Sequence, residues 1–367
     1  MAAAPGSPED LLRKAANDHR VIGFAGGLPS VDRFPRRELA AAFARSIRRR
    51  DVPALQYAWP EGFAPLRARI AERMAARGAK VKADDVIITS GAQQAITIAA
   101  SLVLRAGAPV GVDAESYPAA LDTFRTLGFT PTPGLAPRVL YRMPAVSNPR
   151  GIGMTAHQRR QVLAARRWVI EDDAYGDLRF DGPAPRPLLA TARSRVLYVG
   201  TFSKTLGPGL RLGFLIVPPS LQARAVQRKA SDDLQANSLS QALVEDYLAH
   251  HDFDAFADGL RRHYARRAER LMKAVRRHLP SWSFDAPEGG FGLWVRTDQR
   301  ADETRFLRRA VQAGVSFDPG SPFTCVRSRR GPTVLRLCFS SVREDAMEEG
   351  ARRLARAWSA TTRVGAR

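Results

Sequence analysis

Cysteine, acidic residues and long apolar runs are all scarce in this chain, and each scarcity excludes a class of protein. The 367 residues include two cysteines, Cys325 and Cys338. Two thiols are too few for a disulfide framework, so we expect a protein of the reducing cytoplasm. No run approaches the ~18 consecutive apolar residues of a membrane-spanning helix, so we expect no membrane span. The six histidines show no metal-ligand spacing with each other or with the cysteines, which predicts that no metal is bound.

Basic residues outnumber acidic ones, and the resulting net charge is unusual. Lysine and arginine total 57 against 36 aspartates and glutamates, which gives a formal net charge of +21 at pH 7. Such a surplus indicates either a nucleic-acid surface or solvated helix faces. The arginines are spread along the whole chain and are not interleaved with aromatic residues, as a base-stacking surface requires. The pattern favours solvated faces, and we expect no specific nucleic-acid partner.

Strand-like and helix-like segments alternate in the middle of the chain. Apolar runs predict short strands at 85–89, 110–112, 138–143, 168–171 and 195–199. Helical patterns lie between the first four of these strands and end near residues 105, 127 and 165. Strands that alternate with helices favour an α/β fold, with a mostly parallel sheet that is covered on both faces.

The pattern changes after residue 217. Apolar spacing of three and four predicts long helices at 221–234, 238–250 and 253–279. Beyond residue 281, short strands and helices are predicted at 291–295, 302–313, 334–339 and 343–358. This pattern predicts a separate, smaller α+β unit. The residues before 53 contain loops and one helix, and they fit against either part.

The most informative segment is the turn that contains Lys204. Small residues surround this lysine, and Arg211 follows seven positions later. Apolar runs at 196–199 and 214–217 predict a strand on each side of the turn. A lysine held there can form a Schiff base with an aldehyde, and nearby hydroxyls with an arginine fork can hold a phosphate. One small molecule that carries both groups is pyridoxal phosphate (PLP). We expect the cofactor and Arg211 to lower the pKa of Lys204.

A second anion site is indicated at residues 90–94, where a predicted strand leads into a helix. Backbone N–H groups and the positive end of the helix attract an anion at such a junction. An ordinary turn with a serine cap has the same pattern, and the segment by itself favours that interpretation. In combination with Ser203 and Arg211, the phosphate interpretation is favoured.

An acidic group follows the predicted strand at 168–171. It consists of Glu171, Asp172 and Asp173, with Tyr175 shortly after. In an open parallel sheet, ligands bind at the carboxyl ends of the strands. An ionised aspartate there can pair with a protonated pyridine nitrogen, and Tyr175 can donate to the phenolic oxygen of the same ring. A metal-binding acidic cluster and a helix N-cap are the alternatives.

Three further side chains have both a functional and a structural interpretation. Asn148 lies in a turn rich in proline and glycine, where it is either a donor to a cofactor oxygen or a plain turn residue. Tyr117, at another predicted strand end, either stacks on a flat ring or packs in the core. Arg336 lies between apolar neighbours on an alternating strand, where it binds a substrate carboxylate or forms an internal salt bridge.

Taken together, these segments resemble the class I and II aminotransferases, which are PLP enzymes of fold type I. The similarity in order and spacing extends from about Gly23 to Arg352, and the segments 26–30 and 56–62 resemble the branch with 2-aminoadipate and kynurenine aminotransferases. The resemblance implies a large domain with a mostly parallel seven-stranded sheet flanked by helices, plus a small α+β C-terminal domain. We expect an N-terminal arm at 1–45, the large domain at 46–270 and the small domain at 271–367.

The resemblance also implies roles for residues around the cofactor. Lys204 would form the Schiff base and then move the reacting proton, and Asp172 would pair with the pyridine nitrogen. Asn148 and Tyr175 would bond the ring oxygen, and Tyr117 would stack on the ring. The residues that would hold the phosphate are Gly91, Ala92, Gln93, Thr201, Ser203 and Arg211.

Other implied roles concern the substrate and a second subunit. Arg336 would bind the α-carboxylate of an amino acid, and Gly27 would contact the substrate. Tyr57 would reach the phosphate of a neighbouring subunit, which implies a homodimer with shared sites. The connection from Gly128 to Arg138 is shorter than the strand-and-helix connection that the family usually carries there.

The sequence therefore predicts a cytoplasmic, homodimeric PLP enzyme that moves an amino group from an L-amino acid to a 2-oxo acid. A cyclase, an eliminase or a decarboxylating oxidase would use the same residues, because the cofactor carries the reaction and the protein selects the bond. A PLP-sensing transcription regulator is a third alternative. The chain begins almost directly at the Gly26–Gly27 segment, so we expect no DNA-binding domain before it.

Overall fold

Two β-sheets with their covering helices make up the part of the chain that the computed structural model describes, residues 4–49, 54–326 and 331–363. The ends of the predicted arm and small domain, 1–3 and 364–367, lie outside it. The helices are α1 (Pro8–Ala16), α2 (Arg36–Arg48), α3 (Ala64–Ala76), α4 (Ala92–Val103), α5 (Pro118–Thr126), α6 (Ala156–Ala164), α7 (Gln222–Asp233), α8 (Ser238–His250), α9 (Phe253–His278), α10 (Glu303–Gln312) and α11 (Met347–Thr362). The strands are β1 (Ile22–Phe24), β2 (Val86–Thr89), β3 (Pro109–Val112), β4 (Thr130–Pro133), β5 (Val139–Arg142), β6 (Trp168–Asp172), β7 (Val196–Thr201), β8 (Gly213–Ile216), β9 (Ser283–Phe284), β10 (Gly292–Arg296), β11 (Val315–Pro319) and β12 (Val334–Cys338).

The larger sheet has seven strands in the order β2–β8–β7–β6–β5–β3–β4. Strand β8 pairs antiparallel with both of its neighbours, and the remaining pairs are parallel. Consecutive residues of its strands enter different cores, as a sheet covered on both faces requires. Ile87 and Leu197 pack in one hydrophobic cluster, whereas their chain neighbours Ile88 and Tyr198 pack in another. The predicted seven-stranded, mostly parallel sheet is confirmed.

The smaller sheet combines the two ends of the chain, in the order β1–β11–β12–β10–β9. Strand β1 pairs in parallel with β11, so that Ile22 lies opposite Val315. The sequence left open which part the N-terminal residues join, and the pairing places β1 with the C-terminal strands. It also brings the Gly26–Gly27 segment beside β12. The predicted boundaries at residues 45 and 270 stay predictions.

The short connection that follows Gly128 keeps an edge strand but has no helix. Strand β4 forms this edge and was missed in the sequence, because its Thr-Pro-Thr-Pro composition lacks two of the N–H groups of a strand. The chain then crosses the face of β3 at Gly111, where a Cβ would lie 2.7 Å from the Gly134 carbonyl oxygen. Buried Arg142 secures the crossing, since it donates to the carbonyl oxygens of both glycines.

Candidate active site

The predicted cofactor residues converge on one cavity at the carboxyl ends of the strands of the large sheet. Strands β2, β5, β6 and β7 each end beside it, which is the general ligand position in such sheets. Ten of the residues singled out in the sequence line the cavity: Ala92, Gln93, Tyr117, Asn148, Asp172, Tyr175, Thr201, Ser203, Lys204 and Arg211. Met143, Ala174 and Pro208 complete its wall.

Lys204 lies in the turn after β7 and points into this cavity. Its Nζ atom is 3.4 Å from the Gly27 carbonyl oxygen, 5.5 Å from the centre of the Tyr175 ring and 5.6 Å from that of Phe291. Burial lowers the pKa of Lys204, and the cation that acts most strongly in the same direction is Arg336. The predicted direction agrees, but the sequence had pointed to Arg211. An aromatic, buried enclosure favours the neutral amine, which is the nucleophilic form.

A cradle for an anion lies at one end of the cavity. Gly91 caps the N-terminus of α4 with φ +92°, and Arg211 itself has a left-handed backbone with φ +48°. The Arg211 Nη2 atom donates to the Ser90 carbonyl oxygen at 3.2 Å. The hydroxyls of Thr201 and Ser203 are hydrogen-bonded to each other at 3.0 Å. The cradle therefore combines a helix N-terminus, two hydroxyls and a guanidinium.

The cradle fits a phosphate monoester and has no room for larger side chains. A Cβ on Gly91 would lie 2.9 Å from Arg211 Nη2, and one on Gly213 would lie 2.8 Å from the Gly91 carbonyl carbon. The exposed N–H groups of α4 and its positive end attract negative charge. A guanidinium and hydroxyls are the donors that phosphate oxygens accept from. This donor set, next to a lysine amine, matches a PLP molecule held by its phosphate.

Asp172 ends strand β6 at the other side of the cavity. Its carboxylate accepts from the Tyr141 hydroxyl at 2.6 Å and from the Ala174 N–H at 3.2 Å. Burial raises the pKa of Asp172 to about 6, and the hydrogen bond from Tyr141 opposes that rise. The carboxylate therefore needs a partner to remain ionised in the interior. The sequence analysis did not identify Tyr141. Its only signal was a polar hydroxyl within the apolar run of β5, which is the strand next to β6.

Asn148 lines the cavity and is hydrogen-bonded to Arg336. The Asn148 Oδ1 atom accepts from Arg336 Nη1 at 2.7 Å, which leaves its amide N–H groups free to donate. Arg336 also donates to Asp318, from Nε at 3.0 Å and from Nη2 at 2.8 Å. The internal salt bridge that was one alternative for Arg336 is therefore present. Sequence reasoning missed Asp318, and β11 carried no signal for it beyond an acid in an apolar strand.

The two cavity tyrosines are held by different neighbours. Tyr175 is buried and packs edge-on against Phe291, with ring centres 5.3 Å apart. Tyr117 caps the N-terminus of α5. Burial raises the pKa of both phenols, so each remains protonated and can donate a hydrogen bond at neutral pH.

Four of the predicted residues are not part of the wall of this cavity in the described chain: Gly27, Tyr57, Gly91 and Arg336. Gly27 lies beside the cavity, where a Cβ would be 3.2 Å from Arg336 Nη2. Tyr57 lies elsewhere and its side chain is 76% exposed. The structure thus brings Gly27 to the site of its own chain, whereas Tyr57 faces outward.

Several known proteins are similar to this chain in fold and in sequence. Residues 143–354 match the family model described as aminotransferase class I and II. The 2-aminoadipate transaminase of Thermus thermophilus is 35% identical over 374 positions, which cover 94% of this chain and 92% of the relative.

Two solved structures superimpose closely. LysN, the α-aminoadipate aminotransferase of Thermus thermophilus in complex with N-(5'-phosphopyridoxyl)-L-leucine, has a TM-score of 0.87 at 33% identity, and the match covers 96% of this chain and 95% of that one. The kynurenine aminotransferase of Pyrococcus horikoshii has a TM-score of 0.88 at 29% identity, with 98% and 95% covered.

The fold and the matches define a PLP-dependent enzyme of fold type I. The chain belongs to the class I and II aminotransferase family, and it transfers an amino group between an amino acid and a 2-oxo acid. Among the described residues, no helix combines the length and apolar character that crossing a membrane takes. Within the same residues, no group of three or more His, Cys, Asp or Glu side chains is arranged to hold a metal ion.

Proposed function

We propose that Lys204 is the residue that bonds the PLP aldehyde and carries the reacting proton in this aminotransferase. The carrying observation is a half-buried lysine with a lowered pKa, which lines the same cavity as Arg211 of the anion cradle and the carboxylate of Asp172. When bound, PLP supplies an electron sink that stabilises negative charge on the α-carbon of the donor. Lys204, as a neutral amine, is able to take the proton from that carbon and to donate it again in a later step of the reaction.

The surrounding residues bind and orient the cofactor in this proposal. Asp172 would supply the negative charge that keeps a pyridine nitrogen protonated, and Tyr117 would pack against the ring. Asn148 and Tyr175 donate to the ring oxygen, for which the free Asn148 amide group and the protonated Tyr175 phenol are suited. The phosphate is held by the cradle residues Gly91, Ala92, Gln93, Thr201, Ser203 and Arg211.

The α-carboxylate of an amino acid would bind the end of the Arg336 guanidinium that faces Gly27. The absence of a side chain at Gly27 leaves that end open, since a Cβ would approach Nη2 to 3.2 Å. We propose L-amino acid donors and 2-oxo acid acceptors, and the named relatives suggest which to try. Donors to test first are 2-aminoadipate and kynurenine, after the relatives, and leucine, after the phosphopyridoxyl-leucine adduct in LysN.

Two copies of the chain would share their active sites, in a cytoplasmic protein with no disulfides. Leu55, Tyr57 and Trp59 are each at least 76% exposed, and Phe43 and Ile47 on the neighbouring helix α2 are 42% exposed. Large apolar side chains with this degree of exposure are typical of an interface when they adjoin one another. Tyr57 within this surface supports the proposal that it reaches the phosphate of the other subunit. Both cysteines are free, as a reducing compartment requires.

Absorbance of the purified protein tests the reaction directly. The lysine-bound cofactor should show a visible band that bleaches when an L-amino acid is added without any oxo acid, and 2-oxoglutarate should restore it. A band that persists would indicate another PLP reaction, such as elimination or cyclisation. No band after addition of PLP would mean that the cavity at Lys204 does not bind the cofactor.

Mixing two variants, each of which lacks one of the two residues, tests the shared site. Lys204→Ala lacks the lysine but keeps Tyr57, and Tyr57→Phe lacks the hydroxyl but keeps Lys204. In a mixed dimer, one site combines the intact residues of both chains, so cofactor affinity and activity should partly return. If Tyr57 serves its own chain or none, mixing restores nothing. Sedimentation of the native protein gives the oligomeric state independently.

A further inference from the structure

Arg336 already has an anionic partner and an amide partner within its own chain. Its Nε and Nη2 atoms donate to Asp318 Oδ2 at 3.0 and 2.8 Å, and its Nη1 atom donates to Asn148 Oδ1 at 2.7 Å. The guanidinium carbon also lies 4.7 Å from the centre of the Phe323 ring. The arginine that would bind the donor's carboxylate is therefore neutralised before any donor arrives.

Asp318 is built into this position by three segments of the chain. It lies directly opposite Arg336 in the β11–β12 pair and is 8% exposed. The Gly26 N–H donates to both of its oxygens, at 3.0 and 3.2 Å, and the Cys338 thiol donates to Oδ2 at 3.4 Å. Burial raises the pKa of Cys338 to about 12, so the thiol stays protonated as a donor. Every partner of Asp318 is thus a donor, which suits an ionised carboxylate.

The pairing leaves one edge of the guanidinium for a substrate. Asp318 occupies the edge formed by Nε and Nη2. The edge formed by Nη1 and Nη2 faces Gly27, where a Cβ would lie 3.2 Å from Nη2 and 3.5 Å from Nη1. A donor carboxylate can still bind that free edge in a bidentate manner. Amino acids therefore remain substrates in the presence of Asp318.

Binding a donor that lacks a carboxylate would carry only a small free-energy penalty at such a site. Binding sites reject a ligand that lacks a polar group mainly because their own buried partners are then left unpaired. The penalty is especially large when the group left unpaired is a buried arginine without an anion. Here Asp318 remains paired with Arg336 whether or not a carboxylate is bound. The usual penalty against an amine is absent.

We propose, building on the proposed function, that Asp318 relaxes the need for an α-carboxylate and that the enzyme also takes primary amines as amino donors. An amine R–CH2–NH2 gives up one α-proton to Lys204 and its nitrogen to the cofactor. Water supplies the oxygen of the aldehyde R–CHO that leaves. The 2-oxo acid then accepts the nitrogen and becomes an amino acid. The sum is amine plus 2-oxo acid to aldehyde plus amino acid, with no external oxidant.

Donor pairs that differ only by the carboxylate test this on the native holoenzyme. L-leucine is compared with 3-methylbutylamine, and L-phenylalanine with 2-phenylethylamine. The readouts are kcat/KM, bleaching of the cofactor band and aldehyde formed, measured by chromatography. A site that depends on a substrate polar group rejects the analogue by roughly 10⁴-fold or more. A ratio below ~10³ in the better pair supports the proposal, and a larger ratio in both pairs overturns it.

Asp318→Asn adds a test of the cause. It leaves Arg336 buried without an anion, and only an amino acid restores the pair. The ratio of amino acid to amine kcat/KM should therefore rise at least ~10-fold. Asp85→Asn is the matched control, because Asp85 pairs with Arg193 at 2.9 Å at the far end of β2. In Asp85→Asn the ratio of amino acid to amine kcat/KM should stay unchanged. If Asp318→Asn lowers kcat/KM equally for both donors, Asp318 has only a structural role.

Thermal unfolding gives a second readout that needs no turnover. In Asp318→Asn, 4-methylpentanoate should raise the unfolding midpoint more than it does in the native protein, because it replaces the missing anion. An equal rise in both proteins contradicts the proposal. If no donor of either class bleaches the cofactor band, the proposed function itself fails. If amino acids bleach it and amines do not, only the inference about Asp318 fails.

Discussion

The hydroxyl of Tyr141 donates a 2.6 Å hydrogen bond to Oδ2 of Asp172, and both side chains are almost completely buried. The two residues lie on adjacent parallel strands, β5 and β6. The bond holds the carboxylate in one orientation and leaves its other oxygen for the Ala174 N–H and the cavity. Asp172 is therefore a buried acid whose charge depends on this phenol and on what the cavity binds.

Tyr141→Phe should move the acid limb of the pH–rate profile. Burial raises the pKa of Asp172 to about 6, and the Tyr141 bond holds it from rising further. Without the phenol the pKa rises, so a larger fraction of Asp172 is neutral near pH 7. We expect the acid limb of kcat/KM to shift upward by about one pH unit, since hydrogen bonds to charged groups contribute roughly 1.5–3 kcal/mol.

A neighbouring pair provides the control for that variant. The Tyr198 hydroxyl donates to Asp173 Oδ2, also at 2.6 Å, one residue further along the chain from Asp172. Tyr198→Phe removes an equally short, buried bond outside the cavity, so it should lower stability and leave the acid limb in place. Equal shifts in both variants, or none in Tyr141→Phe, would show that Tyr141 does not set the charge of Asp172.

Lys204→Ala should abolish turnover while the cofactor still binds. The cradle and Asp172 do not involve the lysine amine, so PLP is retained without a covalent bond. We expect kcat to fall at least ~10³-fold, because both the nucleophile and the proton carrier are lost. Absorbance and equilibrium dialysis measure binding. Lys229→Met is the control, since Lys229 is a buried lysine outside the cavity, paired with Asp233 on α7. Turnover that survives in Lys204→Ala would contradict the assignment.

Gly91→Ala should weaken cofactor binding beyond its effect on stability. The glycine has φ +92°, and a Cβ would lie 2.9 Å from Arg211 Nη2. Gly107→Ala has the same type of strain, with φ +77° and nothing within 4 Å of a Cβ. Each should lose about 1–2 kcal/mol of unfolding free energy. We expect the PLP dissociation constant to rise ~10-fold in Gly91→Ala alone, because only that change would displace Arg211, a proposed phosphate ligand. Similar affinity in both variants would place the phosphate elsewhere.

Stability should fall as the pH drops below about 6.5, and His263 is a cause. Burial lowers the pKa of His263 to about 4, and Arg267 and Arg33 act in the same direction. Its Nδ1 atom accepts from Arg33 Nε at 3.1 Å, which a protonated ring cannot do. Between pH 6.5 and 4 the unfolded chain therefore binds more protons than the folded one, and stability is lost as pH falls.

His263→Asn separates this effect from general acid denaturation. The Asn oxygen can take the place of Nδ1 as an acceptor, but it does not titrate. The decline of the unfolding midpoint between pH 6.5 and 4 should become shallower than in the native protein. The control is His157→Asn on the exposed face of α6, which should leave the slope unchanged. An identical slope in all three proteins would exclude His263.

The proposed cofactor residues could be predicted from the sequence because each lies at a local signal. Lys204, Asn148 and Asp172 all follow or end predicted strands, and parallel strands bring their carboxyl ends to one edge of a sheet. Those residues do line one cavity. Strand β4 was missed because local propensity is poor where prolines occupy an edge. The parallel pairing of β1 with β11 links Ile22 to Val315, a contact that no local pattern records.

The sequence alone determined the alternation that makes a parallel sheet, the lysine turn and the polar residues at strand ends, since all of these are local patterns. Only the tertiary structure decided the partners of those residues. Asp318 reaches Arg336 through the register of an antiparallel pair, and Tyr141 reaches Asp172 from the next strand. The physical reason is that a shift of one residue in register turns every side chain to the opposite face. Which acid meets which arginine is therefore a property of strand pairing, and so is the charge at the proposed substrate site.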